Sequence, residues 1–144
     1  MVSVGCGRGV LGDVIRGKSV PKSILVVDDS AFARRVLRDV LDGAGYQVHE
    51  AVNGRDAVEK YSTVSPDLVT MDLAMPGMSG LDALLAIRSL DVSARVLVVS
   101  ALDRVPAAED ALRAGACEYV RKPFQPAALL DAVRRCLLVV HPPR

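Results

Sequence analysis

Five residues in this chain carry side chains suited to phosphate chemistry, and they stand at the ends of four short runs. Asp28 and Asp29 come directly after Ile24-Leu25-Val26-Val27. Asp72 follows Leu68-Val69-Thr70-Met71, and Ser100 follows Val96-Leu97-Val98-Val99. Lys122 lies just beyond Glu118-Tyr119-Val120. Three carboxylates brought together repel one another and favour a cation between them. Oxygen ligands with no His or Cys nearby point to a hard ion, Mg²⁺ above all, with several waters retained. A hydroxyl and an ammonium added to that cluster make a receptor for a dianion, so the set reads as a phosphoryl site.

Such a set works only if the fold gathers it. A short apolar run that ends at an acid reads as a buried parallel strand. Ser30 suits the cap of a helix running to about Leu41, with Phe32, Val36, Leu37, Val40 and Leu41 on its inner face. Tyr46–Ala51 reads as a second, weaker strand, and Asn53-Gly54 opens a second helix. Leu81, Leu84, Leu85 and Ile87 mark a third helix. Pro106 suits the first turn of a fourth, and Pro126 starts a fifth with Leu129, Leu130, Val133, Cys136 and Leu137 facing inward. Five strands alternating with five helices predict an α/β fold with a doubly wound, five-stranded parallel sheet, flavodoxin-like in its winding. Sites in such sheets form beyond the carboxyl ends of the strands, where the strand order reverses. That is where the acids, the serine and the lysine fall.

Composition narrows the remaining classes. The 144 residues suffice for one domain, and a net charge of +1 gives no basic excess for nucleic acid. Aromatic residues make up 3%, with no Trp, so stacking platforms for bases are missing as well. No apolar run reaches the length of a membrane span, and the first 20 residues lack a signal-peptide stretch, which predicts a cytoplasmic protein. Cys6, Cys117 and Cys136 are odd in number and have no CxxC spacing, so they read as unpaired thiols. The stretch Gly12–Ser19 fits the P-loop pattern, and Gly7–Gly12 fits the dinucleotide pattern. Neither has a strand before it and a helix after it, so both are set aside.

Several separately placed stretches together resemble the response-regulator receiver family. They are the Asp28-Asp29 pair, Met71–Gly80, Ser100-Ala101 and Tyr119-Val120-Arg121-Lys122-Pro123-Phe124. The resemblance runs from about Lys22 to Leu138 and is most similar to chemotaxis regulators of the CheY type. It implies a phospho-accepting regulator of a two-component phosphorelay. Asp72 would take a phosphoryl group from a histidine kinase. Asp28, Asp29, Asp72 and the backbone carbonyl of Ala74 would hold Mg²⁺. Lys122 would pair with Asp72 before transfer and with the phosphoryl group after it, and Ser100 would hydrogen-bond that group. Lys122-Pro123 would be the family's cis peptide. Ser100 and Tyr119 would form the switch that reshapes the face made by the fourth helix, fifth strand and fifth helix. Ala74 and Leu102 would tune self-hydrolysis.

The implied partners are a histidine kinase and a downstream protein, with no direct contact to nucleic acid or membrane. That protein is either a flagellar motor switch protein or a histidine phosphotransfer protein; in the second case the chain is a phosphorelay intermediate. No activity on a metabolite is expected, only self-phosphorylation and self-dephosphorylation. A phosphohydrolase with an aspartyl nucleophile is the alternative of another class, but its DxDx[TV] pattern is replaced here by Asp28-Asp29-Ser30-Ala31. The expected boundaries are a flexible extension over 1–21, the domain over 22–140 and a tail over 141–144. Residues 1–19 are expected to be dispensable, either as a flexible arm or as a leader that is not translated.

Overall fold

The computed structural model describes residues 14–15, 18–101 and 105–138. A short antiparallel strand pair, β1 (Val14–Ile15) with β2 (Lys18–Ser19), comes first. It falls where no regular structure is expected, inside the segment read as a flexible extension. The five expected strands follow as β3 (Ser23–Val27), β4 (Gln47–Ala51), β5 (Leu68–Met71), β6 (Val96–Ser100) and β7 (Glu118–Arg121). Between and after them run α1 (Ala31–Gly43), α2 (Gly54–Val64), α3 (Gly80–Leu90), α4 (Val105–Arg113) and α5 (Pro126–Leu138). The strands form one parallel sheet in the order β4-β3-β5-β6-β7. The doubly wound α/β expectation therefore holds.

Alternation along the strands divides the core into two layers, because successive side chains leave a strand on opposite faces. Leu25, Val27, Val69, Met71, Val96 and Val98 pack on one side, with α2, α3 and α4 supplying Ala57, Leu84, Ile87 and Ala111. Ile24, Val26, Leu68, Leu97 and Val99 pack on the other, against Leu37 and Leu41 of α1 and Leu129, Val133 and Cys136 of α5. Both faces are covered, which is why the strands read as continuous apolar runs. Three helices open on capping side chains. Ser30, Asn53 and Ser79 each accept a hydrogen bond from the N–H three residues on, at 3.1, 2.8 and 3.1 Å.

Three expectations need correction. Phe32 is 79% exposed instead of facing inward; it lies roughly 140° around the helix from Leu37, which does face the core. Leu85 is likewise exposed, because Ala83, Leu84 and Ile87 set the buried face of α3. Cys117 and Cys136 are not separate thiols. They form a disulfide between the start of the edge strand β7 and the last turn of α5. A sequence separation of 19 hides that pairing from any test of local spacing.

Candidate functional site at the carboxyl edge of the sheet

Strand order creates the site. The chain leaves β3 for the edge strand β4, then crosses back to place β5 on the other side of β3. The crevice opened by that reversal lies between the carboxyl ends of β3 and β5, where Asp28 and Asp72 are held. Backbone bonds fix both positions. Asp28 N–H donates to Ala51 O at 3.2 Å, and Asp72 N–H donates to Val27 O at 3.1 Å. Lys122 is anchored in the same way, its N–H donating to Ser100 O at 2.9 Å. Its bond to Pro123 is cis, as the resemblance implied.

The carboxylates gather as expected. Carboxylate oxygens of Asp28, Asp29 and Asp72 lie within 4.8 Å of one another. Asp28 and Asp72 are buried, whereas Asp29 faces solvent. Such an all-oxygen set, open to water on one side, fits a hydrated Mg²⁺. Lys122 Nζ bridges the two buried acids. It donates to Asp28 Oδ2 at 2.6 Å and lies 3.8 Å from Asp72 Oδ2. The expected partner was Asp72, but the ammonium sits closer to Asp28. The other oxygens are also engaged: Ser30 N–H donates to Asp28 Oδ1 at 2.9 Å and Ala74 N–H to Asp72 Oδ1 at 3.2 Å.

Burial pushes the Asp72 carboxyl above its ordinary range. The Lys122 charge opposes that rise, the neighbouring Asp28 carboxylate adds to it, and hydrogen bonds from Ala74 and Ser100 oppose it. Asp72 is thus a buried carboxylate rich in fixed donors. Ser100 is fully buried at the end of β6. Tyr119 is partly buried, pairs in register with Val98 and packs in the layer formed with α2, α3 and α4. Ser100 lies two residues beyond Val98 on β6, so it projects toward the same layer as Tyr119. Leu102 lies outside the described residues, as do the P-loop-like and dinucleotide-like glycines.

Further residues shape the pocket and its surroundings. Gly80 closes the loop that follows Asp72: a Cβ there would sit 2.0 Å from Asp72 O. The pair of glycines flanking Met78-Ser79 was the only sequence signal for it. Arg34 Nη1 donates to Asp28 O at 2.8 Å, while its Nε donates to Glu50 at 2.9 Å. Nothing in sequence spacing marks that arginine out from Arg35 and Arg38. Phe32 and Phe124, with Val36 and Pro123, line an apolar groove of about 410 Å³ beside Lys122.

Known proteins place this geometry in context. The model of the response regulator receiver domain matches residues 24–134. The chemotaxis protein CheY of Thermotoga maritima is 45% identical over 115 residues, covering 79% of this chain and 96% of that protein. A protein-glutamate methylesterase/protein-glutamine glutaminase of Myxococcus xanthus is 51% identical over 106 residues, but those cover only 30% of its length. Among solved structures, a CheX–CheY–BeF3–Mg²⁺ complex from Borrelia burgdorferi aligns with a TM-score of 0.82 at 32% identity, covering 88% of this chain and 96% of that one.

Proposed function

This chain belongs to the response regulator receiver domain family, and from that premise we propose that it is a phospho-accepting switch in which Asp72 is the acceptor. The single observation that carries the reading is the buried Asp72 carboxylate, which shares one pocket with Asp28, Asp29, Ser100 and Lys122.

Asp72 Oδ attacks the phosphorus of a phosphohistidine on a kinase. The O–P bond forms as the N–P bond to the histidine ring breaks, and the ring nitrogen keeps the electron pair. Phosphoryl transfer needs alignment and charge neutralisation more than covalent help. Lys122 supplies a positive charge within the pocket, and the Ser100 hydroxyl and Ala74 N–H supply donors. Asp28, Asp29, Asp72 and the Ala74 carbonyl would hold Mg²⁺, which neutralises charge on the transferring phosphoryl group. Once Asp72 is phosphorylated, Lys122 and Ser100 bond phosphoryl oxygens. Movement of Ser100 opens space for Tyr119 to turn inward, and the α4–β7–α5 face changes shape. That face binds the downstream partner. The relatives named chemotaxis protein CheY support chemotaxis as the pathway, in which case a motor switch protein would be that partner. The domain would span residues 22–140, preceded by an extension over 1–21, of which residues 1–19 would be dispensable, and followed by a short tail over 141–144.

Acetyl phosphate with Mg²⁺ tests the assignment. Wild type should gain one phosphoryl group by intact mass, and Asp72→Asn should gain none while keeping its circular dichroism spectrum. A Mg²⁺-dependent phosphoryl group on the variant would remove Asp72 from the role. The variant should also melt higher than wild type without metal. An acid whose pKa is raised by burial favours the fold when neutral and opposes it when ionised, and the amide removes that opposition above the pKa.

A further inference from the structure

The disulfide between Cys117 and Cys136 encloses functional parts of the molecule. Cys117 directly precedes the edge strand β7, and its N–H donates to Val96 O at 2.8 Å. It is partly exposed. Cys136 lies in the last turn of α5 and is fully buried among the side chains that α5 packs on the sheet. The Cα atoms are 5.8 Å apart, within the ordinary disulfide range of roughly 4.4–6.8 Å. The ring so closed contains all of β7 with Tyr119, then Lys122, Pro123 and most of α5. A second tie runs beside it. Arg135 donates two hydrogen bonds to the Glu118 carboxylate, at 2.7 and 2.9 Å. The ion pair joins the same two elements one residue after Cys117 and one residue before Cys136, inside the ring, so opening the disulfide leaves them in place but no longer cross-linked.

We propose that the Cys117–Cys136 bond is a reversible redox tie that sets how freely β7 and α5 move against each other, so that the face they present answers to thiol redox state as well as to Asp72. The regulatory consequence rests on the receiver reading; the tie itself does not. A glutathione thiolate attacks Cys117 Sγ, the sulfur of the partly exposed residue. The Cys117–Cys136 bond breaks, Cys136 leaves as a thiolate and takes up a proton, and a mixed disulfide forms on Cys117. A second glutathione thiolate attacks the glutathione sulfur of that mixed disulfide, and the released Cys117 thiolate is protonated. The protein gains two electrons and two protons, and two glutathiones become one oxidised glutathione. Oxidised glutathione drives the same steps in reverse. The closed ring limits the open conformations available to this part of the chain, so β7 and α5 should open less often when the bond is formed.

The test uses the full chain with Cys6→Ser, so that only the pair reacts, equilibrated in glutathione buffers from fully reduced to fully oxidised. Peptide mass should show the Cys117–Cys136 link forming and breaking reversibly in the native protein. The oxidised form should melt about 5–10 °C higher. Amide exchange over residues 118–138 should be about tenfold slower when oxidised, with residues 24–71 within about twofold. With beryllofluoride and Mg²⁺, the change in exchange over 118–138 should be larger in the reduced form. Cys117→Ser opens the ring at its partly exposed end and should behave like reduced wild type, indifferent to glutathione. Failure of the link to form, its resistance to reduction in the native state, or equal melting and exchange in both states would overturn the tie. A redox-independent beryllofluoride response would overturn the coupling. The tie should persist in Asp72→Asn, and phosphoryl uptake by wild type is measured separately, so failure of the receiver reading shows as lost uptake with the redox effects on melting intact.

Discussion

Gly80 leaves no room for a side chain, and its neighbour is the backbone of the acceptor. A Cβ would lie 2.0 Å from Asp72 O and 2.7 Å from Leu73 Cα, so the strand-end loop would have to move. Gly80→Ala should cost about 3 kcal/mol, the upper end for overpacking, read from urea denaturation. It should also slow phosphoryl uptake, because the displaced atoms include the Asp72 carbonyl. Ala74 acts at the same scale. Its side chain is exposed beside Asp72 and cannot hydrogen-bond a water attacking the phosphoryl group. Ala74→Asn with Leu102→Glu should therefore shorten the phosphoryl lifetime, and a lifetime equal to or longer than that of wild type would sink the tuning role.

Elements are fastened to one another by side chains that spacing alone does not pair. Glu50 on β4 accepts from Arg38 Nε at 2.6 Å and from Arg34 Nε at 2.9 Å, and so pins α1 against the edge of the sheet. The hydrogen bond from Arg38, aided by Arg34, holds the Glu50 carboxyl below its ordinary 4.5, against the opposing effect of burial. A depressed acid pKa adds stability above the unfolded value and loses it as pH falls through the folded one. Glu50→Gln should therefore destabilise the protein by about 1 kcal/mol at pH 7, given the pair's partial exposure. The gap from wild type should close as pH falls below 4.5, and equal melting at pH 7 would show the clamp to be idle. Arg34 also donates to Asp28 O, so loosening this clamp bears on the acid pocket.

At the scale of the whole molecule, one edge of the sheet concentrates negative charge that the fold has to tolerate. Anything that binds this edge in the native state and not in the unfolded chain stabilises the protein by mass action. Millimolar Mg²⁺ should raise the melting temperature of wild type, and beryllofluoride should raise it further. Asp72→Asn should lose the beryllofluoride increment. A wild-type melt unmoved by both would count against a metal and phosphoryl site.

Much of this protein is legible without coordinates because its signals are local. Each strand is an apolar run ending at a chemically distinct residue, and Ser30, Asn53 and Ser79 announce helix starts. Alternation of apolar runs and helices then implies a sheet covered on both faces, and that winding gathers Asp28, Asp72, Ser100 and Lys122 at one edge. Other features depend on distance in space, on which local pattern is silent. The lysine's closer approach to Asp28 than to Asp72 follows from where the β7–α5 loop places its side chain. The outward turn of Phe32 depends on which face of α1 meets the sheet. The demand for glycine at position 80 arises from the backbone of a loop eight residues earlier. Cys117 and Cys136 stand 19 residues apart and meet only because α5 folds back along the edge strand, so their bond belongs to the tertiary structure alone.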